Sequence, residues 1–148
     1  MKKYFLLACG LILATMHAAA QKAGVPRLFT GTIDGKIGIT LYLQEEEHHC
    51  EPRMLYSAIY KYDKVPGNDS WLWLDVDYNE ANQFIMTEER FSGVMILRKE
   101  KDGFSGIWIH PDGVTQRKVV LKQKQVSKEV LEKHAEYFEE TNHRYHDC

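Results

Sequence analysis

The chain has 148 residues and a formal charge of −2, from 19 basic and 21 acidic side chains. That length bounds it to one domain, large enough to fold on its own core without a staple. The lack of a basic surplus argues against nucleic acid as a partner, since phosphate binding needs a basic face.

Residues 1–20 read as a secretory signal peptide. Lys2 and Lys3 form the charged start, an apolar run follows from Tyr4 to Ala14, and Ala18-Ala19-Ala20 supplies small residues before Gln21. The run is too short for a stable membrane span. Leu6-Leu7-Ala8-Cys9 resembles a lipobox, but the apolar run continues through Leu11, Ile12 and Leu13, whereas a lipid-anchored cysteine ends such a run. Cleavage without a lipid anchor is therefore expected, and the mature chain is periplasmic or secreted. Without Lys2 and Lys3 it carries 17 basic against 21 acidic side chains, a net charge of −4.

Residues 21–27 read as a flexible lead-in. Residues 28–34 form a first strand, and Asp34-Gly35 is a hairpin turn signal. The alternation in 36–44 sets Ile37, Ile39, Leu41 and Leu43 on one face and Tyr42 on the other. Residues 45–53 form a charged connection holding His48, His49 and Cys50. A third strand, 54–63, lines up Tyr56, Ala58, Tyr60 and Tyr62.

Pro66-Gly67-Asn68-Asp69 is a turn cluster. Strand 71–78 places Leu72, Leu74, Val76 and Tyr78 inward, and Trp71, Trp73, Asp75 and Asp77 outward. Further strands are expected over 83–89, 92–99, 104–110 and 115–123, separated by turns at Asp102-Gly103 and Asp112-Gly113. From Ser127 the period changes to that of an amphipathic helix, over 127–142, with an apolar stripe through Val130, Leu131, Ala135 and Phe138.

Eight short strands joined by tight turns predict an all-β fold, an eight-stranded antiparallel meander closed into a barrel over 28–124. The helix and tail, 127–148, pack on its outside, with Trp71 and Trp73 as the expected dock. Three copies of Phe-(Ser/Thr)-Gly-x-apolar recur at Phe29, Phe91 and Phe104. Their glycines suit the sharp coiling of a small barrel.

The pieces Phe29-Thr30-Gly31-Thr32-Ile33-Asp34-Gly35, Tyr60-Lys61-Tyr62 and Gly106-Ile107-Trp108 resemble uncharacterised exported small β-barrel proteins of Bacteroidota. More distantly the chain is similar in architecture to avidin-type and lipocalin-type barrels. It differs from lipocalins in carrying Gly31-Thr32-Ile33 where they place Gly-x-Trp near the first strand. The resemblance implies a fold and an export route, and no chemistry.

Three constellations could hold function. With Cys9 removed, Cys50 and Cys148 remain, and an oxidising compartment favours a disulfide between them. If they meet, His48, His49, His143 and His146 gather nearby, with ligand types that suit zinc, as the alternative to the disulfide. Trp71 and Trp73 beside Asp75 and Asp77 can stack on a glycan, unless the helix covers them. Tyr56, Tyr60, Tyr62, Phe91, Phe104 and Trp108 can line a cavity for a small apolar molecule, or fill the barrel themselves.

Glu88 and Glu89 point to opposite faces of a strand and cannot work as an acid/base pair, and Glu45-Glu46-Glu47 reads as a solvated loop. No Gly-x-Ser-x-Gly, phosphate loop or His-Glu-x-x-His is present. The expected function is a non-enzymatic binding module without a cofactor, for a small molecule, a glycan or a protein. The alternative is a structural or inhibitory protein acting on a protein partner through its loops. Neither ligand identity nor oligomeric state is written in the sequence.

Overall fold

A computed structural model describes residues 25–147. The leader 1–20 with Cys9, the first part of the lead-in and Cys148 lie outside the described residues. Eight strands run in chain order: β1 (Arg27–Ile33), β2 (Ile37–Glu47), β3 (Met54–Tyr62), β4 (Leu72–Tyr78), β5 (Gln83–Glu88), β6 (Val94–Glu100), β7 (Gly103–Ile109) and β8 (Gln116–Gln123). Each pairs antiparallel with the next, and β8 pairs with β1 to close the barrel, with Phe29 opposite Gln123 and Ile33 opposite Val119. The meander puts the β1–β2, β3–β4, β5–β6 and β7–β8 connections at one end, here called upper, and the other connections at the lower end.

Alternation decides what lies inside. Phe29, Leu41, Tyr60, Leu74, Phe84, Met95, Phe104 and Trp108 belong to one buried cluster in the barrel interior. Across its lower half an edge-to-face chain runs Phe29–Phe104–Phe84–Tyr56–Tyr78, with centroids 5.1, 5.3, 5.0 and 4.9 Å apart. Leu41, Tyr60, Met86 and Met95 are each 0% exposed, so no space the size of a water adjoins them. The barrel is filled with its own side chains.

Gly31 and Gly106, from two of the three Phe-(Ser/Thr)-Gly copies, serve closure. A Cβ at either would run into a carbonyl oxygen of the neighbouring strand, that of Val120 or of Ile96. The third copy behaves otherwise. Residues 89–91 form a 3-10 turn, β6 begins only at Val94, and Phe91 points out of the barrel. The expectation that Phe91 lines the interior is thereby corrected.

Two element bounds also differ. β2 continues to Glu47 because Glu46 and Glu47 still pair with Leu55 and Met54, which makes the charged connection shorter than expected. The lead-in is not all loose: Val25 already donates its N–H to Glu45 O at 3.0 Å.

The helix α1 spans Lys128–His146, one turn beyond the expected end. Ser127 sits at its N-cap without a side-chain bond to the backbone. Instead the Ser127 hydroxyl and the Glu129 N–H hold the Glu129 carboxyl below its ordinary range. The stripe docks where expected through Leu131, Ala135 and Phe138, on outward side chains of the barrel, while Val130 stays exposed. Phe138 lies 5.8 Å from Tyr42 and 5.2 Å from Trp73, and Tyr137 stacks on Trp71 at 5.7 Å. At the helix end Arg144 donates to Trp71 O at 2.8 Å and pairs with Asp69 at 3.1 Å. These bonds, close to the β3–β4 connection, bring the last turn to the upper end. Among the described residues no helix is long and apolar enough to cross a membrane.

Phe138 is the buried anchor of this dock. Phe138→Ala is expected to cost about 3–5 kcal/mol, since the vacated space cannot collapse between two rigid rings. Glu140→Ala, on the exposed side, should stay within about 0.5 kcal/mol. Equilibrium denaturation of the two variants checks this difference.

Candidate functional site

Extending the alternation of β5 by one step past Phe84 and Met86 turns Glu88 into the barrel. Its residue is 3% exposed. A carboxylate so placed is tolerated only with donors around it, and three are present. Tyr60 and Trp108 donate to Oε1, the indole Nε1 at 2.6 Å and the Tyr60 hydroxyl at close range. Ser92 Oγ donates to Oε2 at 2.8 Å. Gly93 belongs to the same arrangement, since a Cβ there would collide with the Glu88 carboxylate and the Trp108 indole nitrogen.

Tyr62 extends the network toward the upper mouth, its hydroxyl 3.0 Å from that of Tyr60. A phenol has one proton, and the carboxylate can only accept. Tyr60 therefore gives its proton to Glu88, and Tyr62 donates to the Tyr60 oxygen. Burial, and then the Glu88 charge, push the Tyr60 hydroxyl far above the ordinary phenol range. Burial also raises Tyr62, against the influence of Arg117. Arg117 lies over the Trp108 ring at 5.8 Å.

The lower end carries a second inward glutamate. Glu45 continues the inward row of β2, accepts from the Tyr56 hydroxyl at 3.0 Å and lies 2.8 Å from an Arg27 guanidinium nitrogen. That second contact is a charge pair rather than a well-angled hydrogen bond, since Oε2 has no hydrogen-bond partner. Burial, followed by the Glu45 contact, pushes Tyr56 up to about 12. Glu45 is thus no loop residue: it belongs to the strand because pairing with Tyr56 continues there.

The expected ligand-lining residues fall into two groups. Tyr56, Tyr60, Tyr62, Phe104 and Trp108 all face the interior, where they pack against one another or bind the two glutamates. Trp71 and Trp73 lie beneath α1, at 2% and 8% exposure, so neither offers a ring face to a sugar.

Among the described residues, the histidines beside Cys50 and those of the tail form no metal-holding group. Cys50 is free and exposed on the lower β2–β3 connection, where His48 Nδ1 accepts from the Cys50 and Glu51 amides at 3.1 and 3.0 Å. His143 pairs with Asp147, and His146 sits edge-on to Trp73 at 5.0 Å, both on the last turn of α1. The 19-residue helix is about 28 Å long and runs from the lower to the upper end. It therefore separates His48 and His49 from His143 and His146. Among the described residues no three His, Cys, Asp or Glu side chains form a group that could hold a metal ion. Cys148, the expected partner of Cys50, lies outside the described residues.

A scan against protein-family models finds no match, and searches of curated proteins and of solved structures return no significant match either.

Two outcomes follow from the glutamates. Glu88→Gln exchanges an acceptor for a donor facing Tyr60, Trp108 and Ser92, and is expected to destabilise by at least about 1–3 kcal/mol in denaturant titrations. The second concerns alkali. The folded Tyr56 value of about 12 lies above the ordinary 10.0. Its contribution to stability is complete below pH 10 and disappears as pH rises to about 12. Stability measured across that window should fall less steeply for Tyr56→Phe than for the wild type.

Proposed function

We propose that the protein is an exported, non-enzymatic binding module. It works from the outside of a filled barrel and engages a protein partner through its upper rim. The observation that carries this reading is the display of Phe91. Arg90 and Phe91 both adopt positive φ, 54° and 56°, and Phe91 is left 73% exposed. Left-handed backbone at a bulky side chain costs on the order of 1–3 kcal/mol, and such strain concentrates at functional positions.

A second loop tip on the same rim supports it. Val114 is 81% exposed, yet its turn is fixed. The Asp112 carboxylate accepts from the Val114 and Thr115 amides, both at 2.8 Å, and from Thr115 Oγ1 at 2.6 Å. These bonds hold the Asp112 carboxyl far below its ordinary range. Val65, on the β3–β4 connection, is exposed as well. Apolar side chains on preorganised turns bind with little ordering cost. The filled interior argues against a cavity ligand, and the sealing of Glu88 beneath Tyr60 and Trp108 argues against acid/base work by it.

The test compares wild type with Phe91→Ser in retaining proteins from the producing cell's own envelope and culture extracts. Loss of an interface anchor worth about 2 kcal/mol weakens capture about thirtyfold. The expected result is one partner retained by wild type and lost with Phe91→Ser, the tryptophan emission of the two proteins being the same. Capture unaffected by Phe91→Ser and by Val114→Ser would move the site off the rim. A small molecule copurifying in stoichiometric amount would restore the cavity reading.

A further inference from the structure

The barrel is closed unevenly. β3 pairs with β2 along its whole length, from Tyr62 opposite Ile39 to Met54 opposite Glu47. β4 likewise pairs with β5 down to Tyr78 opposite Phe84. Between β3 and β4 only Ala58, Ile59 and Tyr60 pair, with Leu74, Trp73 and Leu72. Below that point the two strands diverge, and the ladder stops.

Hydrogen-bond parity shows which main-chain groups face the resulting notch. Asp63 donates to Gly38 O at 2.9 Å and His48 to Arg53 O at 2.9 Å, so the odd-numbered residues of β3 bond toward β2. Asn79 donates to Gln83 O at 3.0 Å, so the odd-numbered residues of β4 bond toward β5. The main chains of Met54 and Tyr56 therefore face those of Val76 and Tyr78 across the notch. Two of these groups have substitute partners: the Met54 N–H donates to the Tyr78 hydroxyl at 3.0 Å, and the Tyr78 N–H to Asp77 Oδ1 at 2.8 Å. Tyr56 and Val76 pair on their other sides with Glu45 and Met86, and the β3–β4 ladder does not reach them.

Directly paired strands lie about 4.8 Å apart and exchange main-chain hydrogen bonds. At Met54 and Tyr78 a bond from the Met54 N–H to the Tyr78 hydroxyl stands in place of that exchange. The notch is a groove of about 320 Å³ lined by Arg53, Met54, Tyr56, Val76, Asp77 and Tyr78. The Tyr78 ring is held independently, stacked on Phe84 at 5.6 Å.

The geometry points to this notch as a binding site for a short extended peptide, held by main-chain hydrogen bonds to Tyr56 and Val76 in the manner of an added strand. An extended segment presents an N–H and a C=O on each side at alternate residues, which matches the main-chain groups that face the notch where the β3–β4 ladder has stopped. The tyrosine hydroxyl across the lower notch is the bar that such a segment displaces. The site lies at the end opposite Phe91 and does not depend on the rim reading.

The probe is the blocked tetrapeptide acetyl-Val-Thr-Val-Thr-amide, titrated into the intact protein at millimolar concentration and followed by backbone amide NMR. A second peptide of the same sequence, N-methylated at alternate residues, keeps the side chains but lacks the donors. Saturable shifts of the Tyr56 and Val76 amides, at least tenfold weaker binding of the methylated peptide, and tighter binding to Tyr78→Phe are expected. No saturable shift, equal binding of both peptides, or shifts confined to surfaces away from the notch would overturn the assignment. None of these results bears on capture through Phe91, so the two sites are judged separately.

Discussion

A carboxylate inside a packed barrel must be surrounded by donors, and the upper half of this molecule is arranged around that requirement at Glu88. Tyr60 reaches it from β3, Trp108 from β7, and Ser92 from the turn that follows Glu88 itself. Because Ser92 has to fold back within four residues, the chain has no length for a relaxed connection. The cost appears as left-handed backbone at Arg90 and Phe91. Gly93 leaves the space that a Cβ would take from the carboxylate. The strained turn that displays Phe91 is thus built from the same few residues that satisfy the buried glutamate.

The lower end repeats the device with Glu45, Tyr56 and Arg27, less completely buried and carrying a charge pair. Between the two glutamates the interior is a continuous aromatic and aliphatic column. A barrel closed in this way is braced by its own side chains at both ends. Part of the outside is already used, since α1 covers Leu28, Tyr42, Ile59, Trp71 and Trp73 on the β1–β4 side. The remaining features are the fixed loop tips above and the unladdered notch between β3 and β4 below.

Much of the architecture was legible in the residues. Asp34-Gly35, Asp102-Gly103 and Asp112-Gly113 marked turns, the alternation in Ile37–Leu43 and Leu72–Tyr78 separated inside from outside, and the outward Trp71 and Trp73 matched the stripe through Phe138. The site was less legible, although its signal was present. One more step of the same alternation places Glu88 in line with Phe84 and Met86, and Glu45 in line with Leu41 and Leu43. Reading acidic residues as neighbouring pairs, or as a charge run, concealed the face on which each lies. Phe91 was misplaced because its Phe-Ser-Gly matches two strand copies, whereas the demands of Glu88 on Ser92 and Gly93 turn this copy into a loop. The meeting of Cys50 with the histidines of the tail was expected from composition. Only the direction of α1 along the barrel shows the described histidines at opposite ends.

The seal at Glu88 is tested most directly by the indole Nε1–H of Trp108, observed by proton NMR with hydrogen exchange. A donor held at 2.6 Å by a carboxylate inside a closed barrel should resonate well downfield and exchange as slowly as the strand amides around it. It should lose both properties in Glu88→Gln. An indole proton that exchanges rapidly at an unperturbed position would mean that solvent enters the upper mouth, and the barrel would then have to be regarded as open to ligands from that end.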